Sequence, residues 1–517
     1  MGDVPTAIGG RLSAASAVAI LCACAAPPTD PSGTLRVAVP YDVTSLDPHL
    51  DNSLEGFEQV SNLYEPLVAL DRELRVVPAL AVSWYNPDPR TWIFKLRQDV
   101  RFHDGSLLTA DDVVHSLRRL QADERLATRS QVSEVASATA DGEAVVLRTN
   151  RPSARLLSDL AQVLIVRAGA TRESLEAHPN GTAPYAVDAW VPGKRLRLRR
   201  HDGYWGPRPS LPYVDVQMGT DEHATPAIEA GRLSIVRATY ASAERAAAKG
   251  SRYKIVRLPS LYLFHIGFNV SSPTLPGTQG LPNPFRHREV REAVDVALDR
   301  ARIAAAVSPY AMPTDRIVPK SILGGDPAAI GERLRDVAEA RRLLAAAGYA
   351  SGFDVALHGI GLKARTSLPE LCSQLAEVGI RVSLADIPSS PAFQSALRRR
   401  ELGMWVTADA ALTGEAGWLL TTQFHSAEPA PNLGSDNYGG YASAEVDLAI
   451  EEANAVLKPR DRVPLLQKAV HMVEEQRWWI PLYHNQATFI VDRALAFEPR
   501  ADLYLRYAEI DRDGSVP

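Results

Sequence analysis

Apolar and polar residues alternate with a period of two, or recur at helical spacing, along most of the chain. The clearest alternation is in residues 91–97, where Trp92, Phe94 and Leu96 share one face. This pattern predicts a strand that is covered on at least one side. The His-Asp-Gly-Ser sequence of residues 103–106 predicts a turn, because glycine adopts positive φ without steric cost.

A helix is predicted directly after this turn. Thr109 is suited to be its N-cap, and Asp112 stands at the third helical position, where a carboxylate completes a capping box and complements the helix dipole. Apolar residues then recur at helical spacing as far as Leu120. A strand, a turn and a capped helix form a structural unit that carries no chemistry by itself.

The same pattern predicts further elements along the chain. Strands are predicted at residues 34–40, 144–149, 164–166, 194–199, 262–269, 355–357, 381–384, 403–409 and 479–484. Helices are predicted within residues 224–233, 285–300, 337–349, 368–378, 446–456 and 465–476. Residues 194–199 alternate leucine with basic residues, which favours an exposed edge strand. The strand and helix alternation after residue 337 is typical of a parallel-sheet lobe.

Several segments also follow a specific order of residues. Residues 78–120, PALAVSWYNPDPRTWIFKLRQDVRFHDGSLLTADDVVHSLRRL, resemble the signature segment of the family 5 extracellular solute-binding proteins. These proteins are the dipeptide-, oligopeptide- and nickel-binding components of ABC importers. Residues 181–216, 285–300 and 479–484 resemble further blocks of the family. The resemblance extends over residues 34–507.

The resemblance implies an α/β protein with the two-lobed periplasmic-binding-protein-like fold of type II and an extra small domain inserted in the first lobe. The expected divisions are residues 34–60, 186–268 and 486–517 for lobe I, residues 61–185 for the inserted small domain, and residues 269–485 for lobe III. The two crossings between the lobes, near Asn269 and Asn485, would form a hinge.

The first 26 residues are expected to be a signal peptide. Arg11 precedes a run of small and apolar residues that is as long as a signal-peptide core and too short to span a bilayer comfortably. The sequence LCAC, ending at Cys24, resembles a bacterial lipobox, which would make Cys24 the lipidated N-terminus and residues 27–33 a tether. A plain secretory signal and a misassigned start codon are the alternatives.

Composition and motifs weigh against several other classes of protein. With 61 acidic and 56 basic residues, the chain has no surplus of positive charge for a nucleic-acid partner. The sequence contains no HExxH, GxSxG, Walker or strand-linked GxGxxG motif, and its histidines have no metal-ligand spacing. His265 and His484 are expected to be satisfied by local hydrogen bonds. We therefore expect no enzyme activity, no cofactor and no metal site.

One acidic residue stands apart. Residues 403–409 place Asp409 directly after a short apolar strand, four positions beyond Trp405. In peptide-binding members of the family a "W.AD" tract supplies the carboxylate that pairs with the ligand's α-ammonium. The resemblance implies this role for Asp409, because a charge enclosed in a closed cleft must meet its opposite. The tract has one residue more than the family's and lacks the usual "DP", so Glu415 is an alternative, and a plain turn residue is another.

Other candidate ligand contacts rest on position alone. Tyr41, Tyr262, Asn269, Trp418 and Asn437 fall where strands end or where loops cross toward the expected cleft. Peptide backbones are commonly met there by strand-like hydrogen bonds, and their side chains by roomy pockets. We expect some members of this set to contact the ligand.

The resemblance implies an extracytoplasmic substrate-binding protein of an ABC importer. It would capture peptides by lobe closure and deliver them to membrane permease subunits powered by a cytoplasmic ATPase. Alternative ligands are a nickel chelate, haem or an oligosaccharide; a ligand sensor and a hydrolase with an unfamiliar site are alternative roles. The protein is expected to be a monomer. It would be anchored to the outer face of the cytoplasmic membrane through lipid on Cys24, or be free in the periplasm.

Overall fold

The structure is a computed structural model that describes residues 33–39, 43–51, 53–218, 226–228, 230–248, 252–278, 280–326, 333–428 and 433–513. The expected signal peptide with Cys24, and the candidate contact Tyr41, lie outside the described residues. Among the helices within these ranges, none combines the length and the apolar composition needed to cross a membrane.

The elements below are those of the described residues. The strands are β1 (Thr34–Val39), β2 (Val68–Leu70), β3 (Val76–Pro78), β4 (Ala81–Asp88), β5 (Thr91–Leu96), β6 (Val135–Asp141), β7 (Ala144–Thr149), β8 (Tyr185–Val191), β9 (Arg195–Arg200), β10 (Tyr213–Met218), β11 (Ile235–Ala238), β12 (Tyr253–Phe268), β13 (Met312–Pro313), β14 (Phe353–Gly359), β15 (Ile380–Asp386), β16 (Met404–Asp409), β17 (Trp479–Asp492), β18 (Leu495–Ala496) and β19 (Asp511–Arg512). The α-helices are Leu54–Val60, Ala110–Ala122, Leu156–Leu160, Arg172–Ala177, Tyr240–Ala248, Arg288–Val296, Arg300–Ala305, Val337–Ala346, Leu368–Glu377, Ser390–Arg398, Ala416–Leu419, Ala444–Ala455 and Pro459–Gln476.

One large sheet runs through the described part of the chain in the order β15-β14-β16-β12-β17-β11-β1-β10-β9-β8, with β13 beside β17. On one side β14 pairs in parallel with β15 and β16, and on the other β1 pairs in parallel with β10 and β11. Each side is therefore a small parallel α/β unit with antiparallel neighbours, as the alternation of predicted elements indicated.

Two long strands connect these sides. β12 and β17 pair antiparallel from Tyr253 opposite Asp492 to Gly267 opposite Trp479. The C-terminal part of β12 also pairs with β16, whereas the C-terminal part of β17 pairs with β11. The ladder between them is interrupted by a register shift between Pro259 and Leu263. Because such an irregularity bends the strand and breaks regular pairing, the two sides of the sheet are joined through a discontinuity.

A second, four-stranded sheet has the order β4-β5-β7-β6. Trp92, Phe94 and Leu96 of β5 are buried, as their alternation predicted. The helix Ala110–Ala122 begins with the predicted capping box: the Asp112 carboxylate accepts hydrogen bonds from the Thr109 amide and hydroxyl at 2.7 and 2.9 Å. These local predictions are confirmed because capping and strand alternation depend on neighbouring residues alone.

Two other local predictions were wrong. β9 is not an edge strand, since β8 and β10 flank it on both sides. The leucines of β9 enter the core, and its arginines lie on the solvated face of the sheet. An inner strand with one solvated face shows the same alternation as an edge strand, so the pattern does not distinguish the two. Residues 164–166, all within the described chain, form only an isolated bridge between Leu164 and Pro66.

The four-stranded sheet also touches the part of the chain expected to be lobe III. Apolar residues of both regions, such as Phe94 and Ile450, belong to one buried cluster. A backbone hydrogen bond of 2.9 Å from the Ala154 amide to the Asn454 carbonyl joins the two regions at their margin. The expected inserted domain therefore packs against the helix Ala444–Ala455.

Candidate ligand-binding site

The strand β16 brings the candidate acid onto the face of the large sheet. It pairs antiparallel with β12, so that Thr407 lies opposite His265 and Trp405 lies opposite Gly267. Because side chains alternate between the two faces of a strand, Trp405, Thr407 and Asp409 share one face with His265. On the other face of β16, Met404 and Val406 pack into an apolar core.

Asp409 is held by a buried histidine. Nε2 of His265 lies 2.8 Å from Oδ2 of Asp409, and the imidazole stacks on the Trp479 indole with 3.6 Å between ring centroids. The expectation that His265 and His484 are satisfied by local hydrogen bonds was wrong. The partner of His265 lies 144 residues away, Nδ1 of His265 has no hydrogen-bond partner among the described residues, and neither ring nitrogen of His484 has one there. The Asp409 side chain is still 28% exposed, so a solute can reach it.

A cavity of about 30 Å³ opens beside this pair. It is lined by His265, Gln394, Leu397, Trp405, Thr407, Asp409, Gln423, Asp436, Tyr438, Gly439, Tyr441 and Trp479. The lining contains two carboxylates and the aromatic side chains of two tryptophans and two tyrosines, and it contains no lysine or arginine. The cavity volume exceeds the roughly 10–15 Å³ that one water molecule requires, so the cavity holds at least one group of that size. The lining suits a small cationic group, because aromatic faces and carboxylates both attract positive charge.

Asp436 is the second carboxylate of this cavity. The Tyr438 hydroxyl lies 2.9 Å from Oδ1 of Asp436 and 3.1 Å from Oε1 of Gln394. Burial raises the pKa of the Asp436 carboxyl, and the charge of nearby Asp409 raises it further. Both effects disfavour a second negative charge in the cavity. A bound cation would offset the repulsion between the two carboxylates.

Trp405 forms part of the cavity wall because β12 has a glycine opposite it. A Cβ at Gly267 would lie 2.6 Å from Cζ2 of the Trp405 indole, well inside van der Waals contact. The indole therefore lies flat over the backbone of β12 and packs against Phe393 and Leu397. Trp405 is 3% exposed, so it shapes the cavity rather than covering the open side.

Comparisons with known proteins identify the family of the chain. Residues 75–430 match the family model described as bacterial extracellular solute-binding proteins, family 5 Middle. The chain belongs to this family. It is thus a solute-binding protein of the ABC-importer type, as the resemblance implied, and its homologues act outside the cytoplasm.

Relatives cover nearly the whole of this solute-binding protein. The glutathione-binding protein GsiB of Escherichia coli O157:H7 is 28% identical over 500 residues, 92% of each chain. The structure of DppA from Helicobacter pylori in complex with the peptide STSA has a TM-score of 0.77 at 20% identity and covers 93% of this chain and 98% of that one. NikA from Staphylococcus aureus in complex with Ni(L-His)2 has a TM-score of 0.75 at 17% identity, covering 93% and 100%. These likenesses confirm the two-lobed type II fold.

The two candidate asparagines of this family member hold loops in place. Asn437 donates hydrogen bonds to the carbonyls of His425 and Tyr441 and accepts one from the Tyr441 amide. Asn269 donates to the carbonyl of Arg400 and accepts from two amides of the loop that follows it. Both side chains are buried, and their polar atoms are engaged by backbone. They position the loops around the cavity without lining it.

Tyr262 and Trp418 also lie away from the cavity. Tyr262 is half-buried within the register shift of β12 and packs against the apolar cluster that contains Leu35 and Phe489. Trp418 is half-buried in the short helix Ala416–Leu419 and packs against the cluster shared with the inserted sheet. Of the predicted contacts, the structure brings together Asp409 and Trp405.

The alternative acid, Glu415, already has a partner. Its carboxylate is 6% exposed and receives two hydrogen bonds from the Arg462 guanidinium, one of them at 3.1 Å from Nη2 to Oε1. Such a bidentate pair neutralises the charge inside the protein. Asp409, by contrast, has an exposed edge.

Sequence reasoning did not select His265, Asp436 or Tyr438 for the site. Asp436 and Tyr438 flank the predicted Asn437 in the sequence, and it is these two neighbours that line the cavity. The contact between His265 and Asp409 joins strands 144 residues apart, and no local signal encodes that register. Among the described residues, no group of three or more His, Cys, Asp and Glu side chains is arranged to hold a metal ion.

Proposed function

We propose that this solute-binding protein captures peptides that have a free amino terminus, and that Asp409 pairs with the peptide's α-ammonium. The position of Asp409 carries the proposal: it ends β16 beside the cavity, is oriented by His265 at 2.8 Å, and keeps 28% of its side chain exposed. An ammonium and a carboxylate that leave water together form a charge-assisted hydrogen bond and need no other counter-charge.

The relatives support a peptide-like ligand. Glutathione, in the name of GsiB, and the peptide STSA, bound by DppA, each present a free amine beside amide groups. In this proposal Trp405 shapes the wall beside the amine, while Asn269 and Asn437 act indirectly by fixing the loops. Tyr41, Tyr262 and Trp418 remain candidates for contacts with the rest of the peptide.

Capture would proceed by closure of the two lobes. The proposed hinge is the register shift between Pro259 and Leu263, opposite Gln486 and His484, because irregular pairing lets the long strands bend. It includes the crossing expected near Asn485, and on β12 it takes the place of the crossing expected near Asn269. A ligand that touches both lobes favours the closed form by its differential affinity. The closed protein would then dock on permease subunits and release the peptide for import.

Isothermal titration calorimetry with di- to pentapeptides and glutathione tests this proposal. We expect binding of at least one free-amine peptide, and loss of roughly 10–100-fold in affinity for Asp409→Asn, the range that one desolvated charged hydrogen bond supplies. Asp386→Asn is the matched control, since Asp386 also ends a strand of the same lobe but lies outside the cavity lining. Absence of heat from all peptides, or an unchanged affinity of Asp409→Asn, would contradict the proposal.

A nickel chelate is the second candidate ligand, because NikA binds Ni(L-His)2 on the same fold. Native mass spectrometry of protein purified from its own source distinguishes a peptide from a nickel chelate, haem or an oligosaccharide by mass. We expect binding without turnover, so chromatography of a bound peptide after long incubation should return it intact. A sensor rather than an importer would leave peptide uptake unchanged when the gene is deleted.

We also propose that Cys24 carries lipid and that the mature protein is a monomer on the outer face of the cytoplasmic membrane. A lipobox-like sequence ending at Cys24 supports this attachment. Cys24→Ala should move the protein from the membrane fraction to the soluble extracytoplasmic fraction. An unchanged distribution would favour a plain secretory signal.

A further inference from the structure

We infer that Asp436 is a second carboxylate of the ligand site, and that the cavity it shares with Asp409 selects a primary ammonium over a secondary or acylated amine. The inference rests on the proposed function, and it adds to it both a specificity-determining residue and the chemical class of the group that enters the cavity.

The first argument is charge. Asp409 and Asp436 line the same cavity, and none of the other lining residues is a lysine or an arginine. Arg398 lies near enough to Asp436 to affect its charge but is outside the lining. The walls are aromatic, with Trp405 and Trp479 among them. Two carboxylates with no cation between them bind positive charge, and aromatic faces add to that attraction.

The second argument is an unsatisfied hydrogen-bond acceptor. His265 is fully buried, and because a carboxylate accepts, its Nε2 donates to Asp409. In the neutral ring Nδ1 is then an acceptor, and it has no hydrogen-bond partner. A buried acceptor without a donor destabilises the site. A primary ammonium offers three N–H donors, which matches acceptors on Asp409, Asp436 and His265.

The third argument is the effect of a substituent on the nitrogen. A methyl group would replace one of the three N–H donors and leave one acceptor without a partner. An acetyl group would remove the charge as well. The cavity therefore discriminates by charge and by the number of N–H groups.

Calorimetry with one peptide in three forms tests the inference. The probes are Ser-Thr-Ser-Ala with a free, an N-methylated and an N-acetylated amino terminus. The wild-type protein should bind the N-methylated form at least tenfold more weakly than the free form, and show no measurable binding of the acetylated form. Asp436→Asn should weaken binding of the free form roughly 10–100-fold and bring the free and N-methylated affinities closer together.

Asp386→Asn is the matched control, since Asp386 ends β15 and lies outside the cavity lining; it should preserve the preference for the free amine. Equal wild-type affinity for the free and N-methylated peptides would overturn the inference, and this measurement requires no variant to fold. An unchanged preference in Asp436→Asn would overturn it too, while a weakened Asp409→Asn would leave the proposed function standing. If the wild type binds none of these forms and no other peptide, the proposed function fails and the inference falls with it.

Discussion

His265 and Asp409 form a partly buried pair in which Nε2 of the imidazole lies 2.8 Å from Oδ2 of the carboxylate. The ring is itself fixed by stacking on Trp479, with 13° between the planes. The candidate ligand carboxylate therefore has a defined orientation before any ligand arrives. Pre-organisation of this kind lowers the cost of ordering a charged group on binding.

We expect His265→Phe to weaken peptide binding about tenfold, a loss near 1.4 kcal/mol. The phenyl ring keeps the stacking on Trp479 but removes the hydrogen bond that orients Asp409. His265→Gln, which retains an N–H donor, should weaken binding less. Calorimetry with a peptide that the wild type binds provides the measurement, and equal affinities of His265→Phe and wild type would show that the pair does not prepare the site.

Gly267→Ala should destabilise the protein by about 1–3 kcal/mol, the usual cost of overpacking. The added Cβ would meet the Trp405 indole at 2.6 Å, and the strand pairing between β12 and β16 on that side leaves little room to move. Urea unfolding measures the effect. Combining it with Trp405→Leu, a smaller side chain, should recover part of the loss; additive effects would mean that the two residues do not interact.

Arg462→Leu should destabilise the protein by about 3–5 kcal/mol, because it leaves the buried Glu415 carboxylate without its partner. The double variant Glu415→Leu with Arg462→Leu should recover most of that loss, since neither charge then remains buried. Peptide affinity should be unchanged in the double variant if Asp409, rather than Glu415, binds the amine. Loss of peptide binding in a folded double variant would instead assign the amine contact to Glu415.

Glu65 predicts a specific dependence of stability on pH. The Tyr204 hydroxyl and the Trp205 indole N–H each donate to its buried carboxylate at 3.0 Å. Burial raises the pKa of Glu65 from 4.5 to about 7. At pH values between these two pKa values, the folded protein binds more protons than the unfolded chain. The contribution of Glu65 to the free energy of unfolding therefore falls as the pH rises through this range, by about 3 kcal/mol in total.

Glu65→Gln removes this contribution and can still hydrogen-bond to both aromatic residues. We expect the difference in unfolding free energy between the variant and the wild type to shift in favour of the variant as pH rises from 4.5 to about 7, and to level off above that. Chemical denaturation at a series of pH values measures the difference and cancels other titrating groups. A difference that stays constant across this range would show that the Glu65 pKa is not raised.

Tyr204 and Trp205 show that a local sequence pattern predicts a turn but not the distant residue that the turn contacts. A turn with two aromatic residues is visible in the sequence, but their common partner Glu65 lies about 140 residues earlier in the chain. The indole is also covered by the Arg97 guanidinium, 3.9 Å from the ring centroid. Three segments that are each recognisable alone thus meet around one carboxylate. The resulting burial raises the Glu65 pKa, and the hydrogen bonds from Trp205 and Tyr204 and the charge of Arg97 lower it by a smaller amount.

The sequence by itself determined the elements that depend on near neighbours. β5, the capped helix Ala110–Ala122 and a strand that ends at Asp409 follow from alternation, capping and turn chemistry, and the order of residues in these segments indicated the family. Only the tertiary structure decided three contacts of the site. His265 orients Asp409, Asp436 lies across the cavity, and Arg462 forms an ion pair with Glu415. These contacts depend on strand register and on the packing of loops from distant segments. The partners are selected by the burial of whole strand and helix faces, because no local preference specifies them.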